Sequence, residues 1–309
     1  MSDNTKEVTK MVEKLLICSD IHDDVEALET FVDYAQAQCA DRILILGDMG
    51  LRPYTSNDLE QLVRGRDEQR FIQAKRDHSR QVLGEMKQII DQSGIPLVMV
   101  PGNYDGTQDS EAVFGESNLH KKTMSFGNAS VVGYGGADAS PGHIELLQRL
   151  GEIEYFDHQE LYSLLTNKKS DICMIHNPPR GFCDDMFNGQ NVGTPATTQH
   201  IIDYSPKLVL SGHIHEAGPN GNNPSGVKGV KVYQNPKTGE DTLILNPGNL
   251  GRFELLDPRT LEPIRQFDYG TFMEVNIDEN GNPQSVSSYN LDTKTGTIGN
   301  VKKLEEYTF

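Results

Sequence analysis

The chain has 309 residues, 36% of them hydrophobic and 24% charged, which is the composition of a folded, water-soluble protein with a sizeable core. Its 45 acidic and 28 basic residues give a formal charge of −17, which argues against a general role on nucleic acid or on an acidic membrane, because both would be repelled. Apolar runs are no longer than "IPLVMV", far short of the ~20 residues that a bilayer crossing needs.

In chain order, the opening "MSDNTKEVTKMVEK" is polar and carries acids, so it lacks the apolar centre of a secretion signal and a cytoplasmic location is expected. "KLLICS" (14–19) reads as a first buried strand, and Val25, Leu28, Val32 and Ala35 follow at helical spacing. "RILIL" (42–46) is a second strand. A long charged stretch comes next, in which Val82, Met86, Ile89 and Ile90 mark a helix face, and "IPLVMV" (95–100) is a third strand. Within the charged stretch, "RGRDEQRFIQAKRDHSR" (64–80) sets six basic residues against three acidic ones and reads as a solvated helix face, with a surface for a substrate or partner as the alternative.

"TMSF" and "ASVVGYGG" look like the start of a second sheet, and residues 144–166 read as mostly helical. "DICMI", "KLVLS", "VKVYQ", "TLIL" and "TFMEVNI" are further short strands. Strands alternating with helices imply parallel or mixed sheets with helices on their faces. The reading is one domain over 14–290, with helical insertions near 52–80 and 137–166 and terminal extensions at 1–13 and 291–309. The last of these is open between a loose tail and an edge element. Cys18, Cys39, Cys173 and Cys183 form no C-x-x-C pair and read as reduced thiols, Cys18 and Cys173 inside strands.

Strand after strand ends in a polar cluster. The first gives Asp20 and His22, the second Asp48, the third Asn103; later strands end at His176 and at His213 and His215. Taken singly these are ordinary turn and cap sequences. Five of them in one order are not, because ligands of open α/β sheets bind at the carboxyl ends of the strands. Two Asp, one Asn and four His, without Cys, suit Mn, Fe, Zn, Co or Ni. Two dications, two aspartates and one hydroxide sum to about +1, enough to hold a phosphate in an acidic protein.

The blocks Asp20-Ile-His22, Gly47-Asp48, Gly102-Asn103-Tyr104-Asp105, His176 and Gly212-His213-Ile214-His215 resemble the D-x-H, GD, GN-H-[DE], H and GH-x-H pattern of the calcineurin-like metallophosphoesterase superfamily. "HNPPRGFCDD", "NVGT", "GHIHEAG" and "NPGN" are similar to the small prokaryotic phosphoesterases of the Icc type. The resemblance implies an α/β fold, a four-layer α/β/β/α sandwich of two mixed β-sheets. It implies two divalent or mixed-valence metal ions, manganese among the candidates. Asp20, His22, Asp48 and His215 would hold one, and Asp48, Asn103, His176 and His213 the other, with Asp48 bridging. It also implies hydrolysis of a small phosphate ester by direct attack of a metal-bridging hydroxide. Asp48, Asn103, Tyr104 and Asp105 are the candidate catalytic residues, Asp105 as the acid that orients a neighbouring ligand.

Tyr104 stands where the family's usual histidine protonates the departing alkoxide. A phenol of pKa ~10 donates a hydrogen bond but is a poor acid at neutral pH, so a phosphodiesterase is favoured over a phosphomonoesterase. His143 and His158 are alternative acids, each more readily read as surface or core histidine. The second block, "GDMGLRP", lacks the acid of the serine/threonine phosphatase mark GD-x-x-DRG. Arg52 keeps its arginine spacing and, with Tyr104, is a candidate substrate contact. Leu51 stands where purple acid phosphatases carry tyrosine. The rival reading is a non-catalytic scaffold on this fold that binds partner proteins, as the retromer subunit does. No general nucleic-acid or membrane partner is expected, and assembly into a homo-oligomer stays open.

Overall fold

The apolar runs become strands buried on both faces, so their side chains sort by alternation into two different cores. In β1 (Val12–Cys18), Leu15 and Ile17 point one way and Leu16 and Cys18 the other, all fully buried. The computed structural model describes residues 12–51, 64–65, 68–138, 157–256, 262–291 and 301–309.

Parallel pairing of β1 with β2 (Arg42–Ile45) and of β2 with β3 (Leu97–Met99) starts the first sheet. β12 (Gly270–Asp278), β13 (Pro283–Leu291) and β14 (Val301–Thr308) extend it antiparallel from β1, giving the order β14-β13-β12-β1-β2-β3. The second sheet contains β4 (Thr123–Phe126), β5 (Ala129–Tyr134), β6 (Ile172–Ile175), β7 (Leu208–Leu210), β8 (Val230–Gln234) and β9 (Asp241–Leu245), in the order β4-β5-β6-β7-β9-β8. A ribbon of β10 (Phe253–Leu256) and β11 (Pro263–Phe267) stands apart from both.

Leu15, Ile17, Leu44 and Val98 of the first sheet meet Val131, Met174 and Leu208 of the second in the core between the sheets. Leu16, Cys18, Ile43 and Ile45 pack outward on α1 (Val25–Ala37) and α2 (Glu68–Ser93) through Phe31, Val32, Leu83 and Met86. Val132, Cys173 and Val209 pack on the opposite helices, α4 (His158–Lys168) and α5 (Pro195–Tyr204), through Leu161, Leu165 and Ile201. A shorter helix, α3 (Thr107–Phe114), follows β3. The result is the expected four-layer α/β/β/α sandwich.

The helix ends follow local chemistry. Asp24 caps α1 by accepting from the Ala27 N–H, and Thr194 caps α5 with Pro195 at the first helical position. The stretch from residue 291 onward includes an edge element: β14 pairs along β13 from Ser285–Thr308 to Leu291–Val301. All four cysteines are free thiols, Cys39 exposed and the other three buried. No helix among the described residues is long and apolar enough to cross a membrane.

Candidate metal centre

The expected site residues sit on the loops that leave β1, β2, β3, β6 and β7, all at the carboxyl ends of parallel strands. Hydrogen bonds join these loops both between the two sheets and within the second sheet. The His213 N–H donates to Asp20 Oδ2 at 2.9 Å, and the Gly212 N–H donates to the His176 carbonyl at 2.9 Å. Four of the residues adopt left-handed backbone: Asp20 (φ 54°), His22 (φ 48°), Asp48 (φ 51°) and His213 (φ 65°). Asp and His tolerate this region better than most residues, at a cost of about 1 kcal/mol or more each, and such strain concentrates at functional sites. It bends the chain immediately beyond each strand.

Glycines let the bent loops touch. A Cβ on Gly102 would lie 2.0 Å from Asp48 Oδ1 and 2.2 Å from the Asp48 backbone nitrogen; one on Gly212 would lie 1.9 Å from Ser19 Oγ. No rotamer of Asp48 relieves a clash with its own backbone. Gly102→Ala is therefore expected to displace the Asp48 loop and weaken metal binding by at least about tenfold, read by metal titration of the folded protein. Unchanged affinity would show that the contact is not needed.

Two groups of ligand atoms converge, Asp20, His22 and His215 in one and Asp48, His176 and His213 in the other, each with its atoms within 4.8 Å of one another. In the first, His215 Nε2 lies 2.9 Å and His22 Nε2 3.7 Å from Asp20 Oδ1, and the two imidazole Nε2 atoms face each other at 3.5 Å. In the second, His176 Nε2 lies 3.4 Å from Asp48 Oδ2 and 3.1 Å from Asn103 Oδ1.

The donor set fits cations. His176 Nδ1 is 2.6 Å from the Leu46 carbonyl, so it carries the proton and donates; in the neutral ring Nε2 then presents a lone pair to two oxygen acceptors. Lone pairs facing one another in this way repel, and a cation between them would relieve the repulsion. Burial opposes the His176 cation, yet Asp48 pushes it up to about 9. Likewise burial opposes the ionised Asp20, but His215 holds its carboxyl well below the usual range, and Asp20 raises His215 against burial. Burial lowers His22 and brings His213 down to about 4, leaving both neutral and able to coordinate. Burial acts first on His22, and the charges of both Asp48 and Asp20 oppose it. The Asp48 charge thus reaches both groups.

Asp105 reaches the ligand loops through their backbone. Its carboxylate meets no ligand side chain; it accepts from the backbone N–H groups of Gly102 (2.9 Å), Gly50 (3.0 Å) and Met49 (3.1 Å), clamping the β2 and β3 loops together. Burial first and the Asp48 charge second push it up to about 6, while those three N–H groups pull it down. Tyr104 lies at the rim, its N–H on Asp48 Oδ1 at 2.8 Å and its ring 6.1 Å from that of His22. His158 binds Asp138 and Thr194 and lies outside both groups. Arg52 and His143 fall outside the described residues.

The 64–80 stretch is not a freely solvated face. Arg76 and Arg80 pair with Asp109, and His78 pairs with Asp23 at 2.9 Å. Lys75 is 3% exposed, with Nζ 5.7 Å from the centre of the Tyr104 ring. These partners are distant in sequence, so composition alone could not reveal them. Two other contributors were also unassigned. Asn246, in "NPGN", donates its amide to the carbonyls of Cys183, Gly212 and Ile214 and pins the loop that carries His213 and His215. Phe253 packs its ring 4.2 Å from His22 and 4.8 Å from His215. Asn246 was marked by its motif, whereas nothing local marks Phe253.

The model of the family described as calcineurin-like phosphoesterase matches residues 13–217. No curated protein matches the chain. Among solved structures, TT1561 of Thermus thermophilus is 22% identical with a TM-score of 0.50, covering 82% of this chain and 97% of its own. A dimetal phosphatase from Danio rerio is 12% identical with a TM-score of 0.52, covering 96% of this chain and 98% of its own. At these identities the likeness is one of fold.

Proposed function

The chain belongs to the calcineurin-like phosphoesterase family, and from that premise we propose that it is a phosphodiesterase whose centre is built by Asp20, His22, Asp48, Asn103, His176, His213 and His215. The family uses two divalent metal ions, and the chain is a metal-dependent phosphoesterase with two ligand groups that fit them. The observation that carries the proposal is the convergence of six Asp and His side chains from the strand ends into two adjoining groups. In this reading Asp20, His22, Asp48 and His215 would hold one ion and Asp48, Asn103, His176 and His213 the other, with Asp48 shared. The dimetal phosphatase of Danio rerio shares the fold and agrees with a two-ion reading.

When bound, such a pair supplies Lewis acidity toward phosphoryl oxygens and lowers the pKa of water toward neutrality. The protein does the rest by placement. The Leu46 carbonyl fixes the His176 tautomer, so that Nε2 is the nitrogen that would face a bound cation. The Asp20 carboxylate holds the His213 backbone and the His215 ring at once, fixing the approach of two ligands with one group. Tyr104, held by its N–H on Asp48, offers a phenol to the departing oxygen as a hydrogen-bond donor rather than as an acid. This suits a diester with a good leaving group better than a monoester whose alkoxide needs a proton.

With Mn²⁺, bis-p-nitrophenyl phosphate should be cleaved faster than p-nitrophenyl phosphate in steady-state assays. The reverse ranking would overturn the diester assignment, and metal retention without turnover of either would support the scaffold alternative.

A further inference from the structure

A cavity of about 960 Å³ opens between α4 and α5, lined among others by Asp138, His158, Tyr162, Arg180, Asn191 and Gln199. Its size is at the upper end of small-molecule pockets, about 300–1,000 Å³. Both of its walls grow out of the metal centre. Asp138 lies two residues past Gly136, whose N–H donates to the Pro101 carbonyl immediately before Gly102 and Asn103. On the other side the chain runs from His176 through buried Asn177, Pro178 and Pro179 to Arg180. The Thr194 N–H donates to the Pro178 carbonyl at 2.8 Å, and the Arg180 N–H donates to the Thr194 carbonyl at 3.2 Å, which fixes that wall.

Two features give the cavity a chemistry. His158 is held at both nitrogens, Nε2 3.0 Å from Asp138 Oδ2 and Nδ1 3.0 Å from Thr194 Oγ1, so the polar wall is preset. Arg180 alone among the described arginines has a guanidinium without a partner: Arg42, Arg76, Arg80 and Arg252 are ion-paired, Arg265 lies over Phe267, and Arg64 and Arg70 are engaged elsewhere. In a chain of charge −17, an unpaired fork of donors at a cavity wall is a place for a second anion.

We propose that this cavity receives the leaving arm of the substrate, a polyhydroxylated alcohol that carries a second anionic group, phosphate or carboxylate. Arg180 holds the anion, and Asn191, Gln199 and the Asp138 carboxylate meet the hydroxyls. This rests on the phosphodiesterase reading above.

The test is calorimetric binding to the metal-loaded full chain, with ribose 5-phosphate as probe and inorganic phosphate, which lacks the hydroxylated arm, as the reference. Arg180→Gln should weaken ribose 5-phosphate at least tenfold more than it weakens phosphate. Arg180→Lys, which keeps the charge without the fork, should recover part of the loss. Equal weakening of both ligands, or no preference of the parent for the sugar phosphate, would overturn the assignment. Because binding is read without turnover, failure of the chain to cleave any diester would count against the catalytic reading and leave this ratio measurable.

Discussion

Asp48→Ala should empty both metal positions together and lower phosphodiester turnover by far more than the roughly 10- to 100-fold loss that follows removal of a residue merely orienting a ligand. Asp48 stands 3.4 Å from His176 Nε2, and its charge also opposes the burial of His22 across the boundary between the two ligand groups. His22→Ala removes one imidazole but leaves Asp20 and His215 in place 2.9 Å apart, so its main effect should fall on one position. Elemental analysis after dialysis, with calorimetric metal titration, distinguishes the two. One ion kept by Asp48→Ala, or equal loss of both ions in both variants, would remove the bridging role. Asp48→Asn keeps an oxygen for the Tyr104 N–H and so controls for loop collapse, since it changes the charge with little change in shape.

The sequence made the centre legible because two patterns coincide there. Strands buried on both faces read as unbroken apolar runs, and their abrupt polar ends mark where the sheet opens to a ligand. What stayed hidden had physical reasons of its own. β14 carries its less exposed residues at Val301, Leu304 and Tyr307, a period of three that looks helical. The cause is a bulge: pairing passes from Tyr289–Lys303 to Ser288–Glu305, leaving Leu304 as the extra residue that resets the alternation. β13, with Ser285, Ser287 and Ser288, is too polar to announce itself although Ser287 and Ser288 are buried. The cations of α2 looked solvated because their carboxylates, Asp23 and Asp109, come from other elements.

The same limit explains Asp105, whose block position marked it as important without saying which atoms it holds. Asp105→Ala should strip the acceptor from three backbone N–H groups in a buried turn, each worth ~1–3 kcal/mol if left unsatisfied. Because loops relax, a combined loss on the order of 3 kcal/mol is expected, seen as a fall in Tm of roughly 4–6 °C. A carboxylate that only orients a metal ligand would leave the metal-free protein as stable as before. A backbone clamp predicts that melting falls with and without metal, because the bonds to Met49, Gly50 and Gly102 involve no ion. Asp105→Asn, with one acceptor oxygen instead of two, should lie between the parent and the alanine variant. Unchanged melting of the metal-free alanine variant would return Asp105 to the ligand-orienting role. A fall in both states would make the pairing of the β2 and β3 loops a precondition for Asp48 and Asn103 to meet at all.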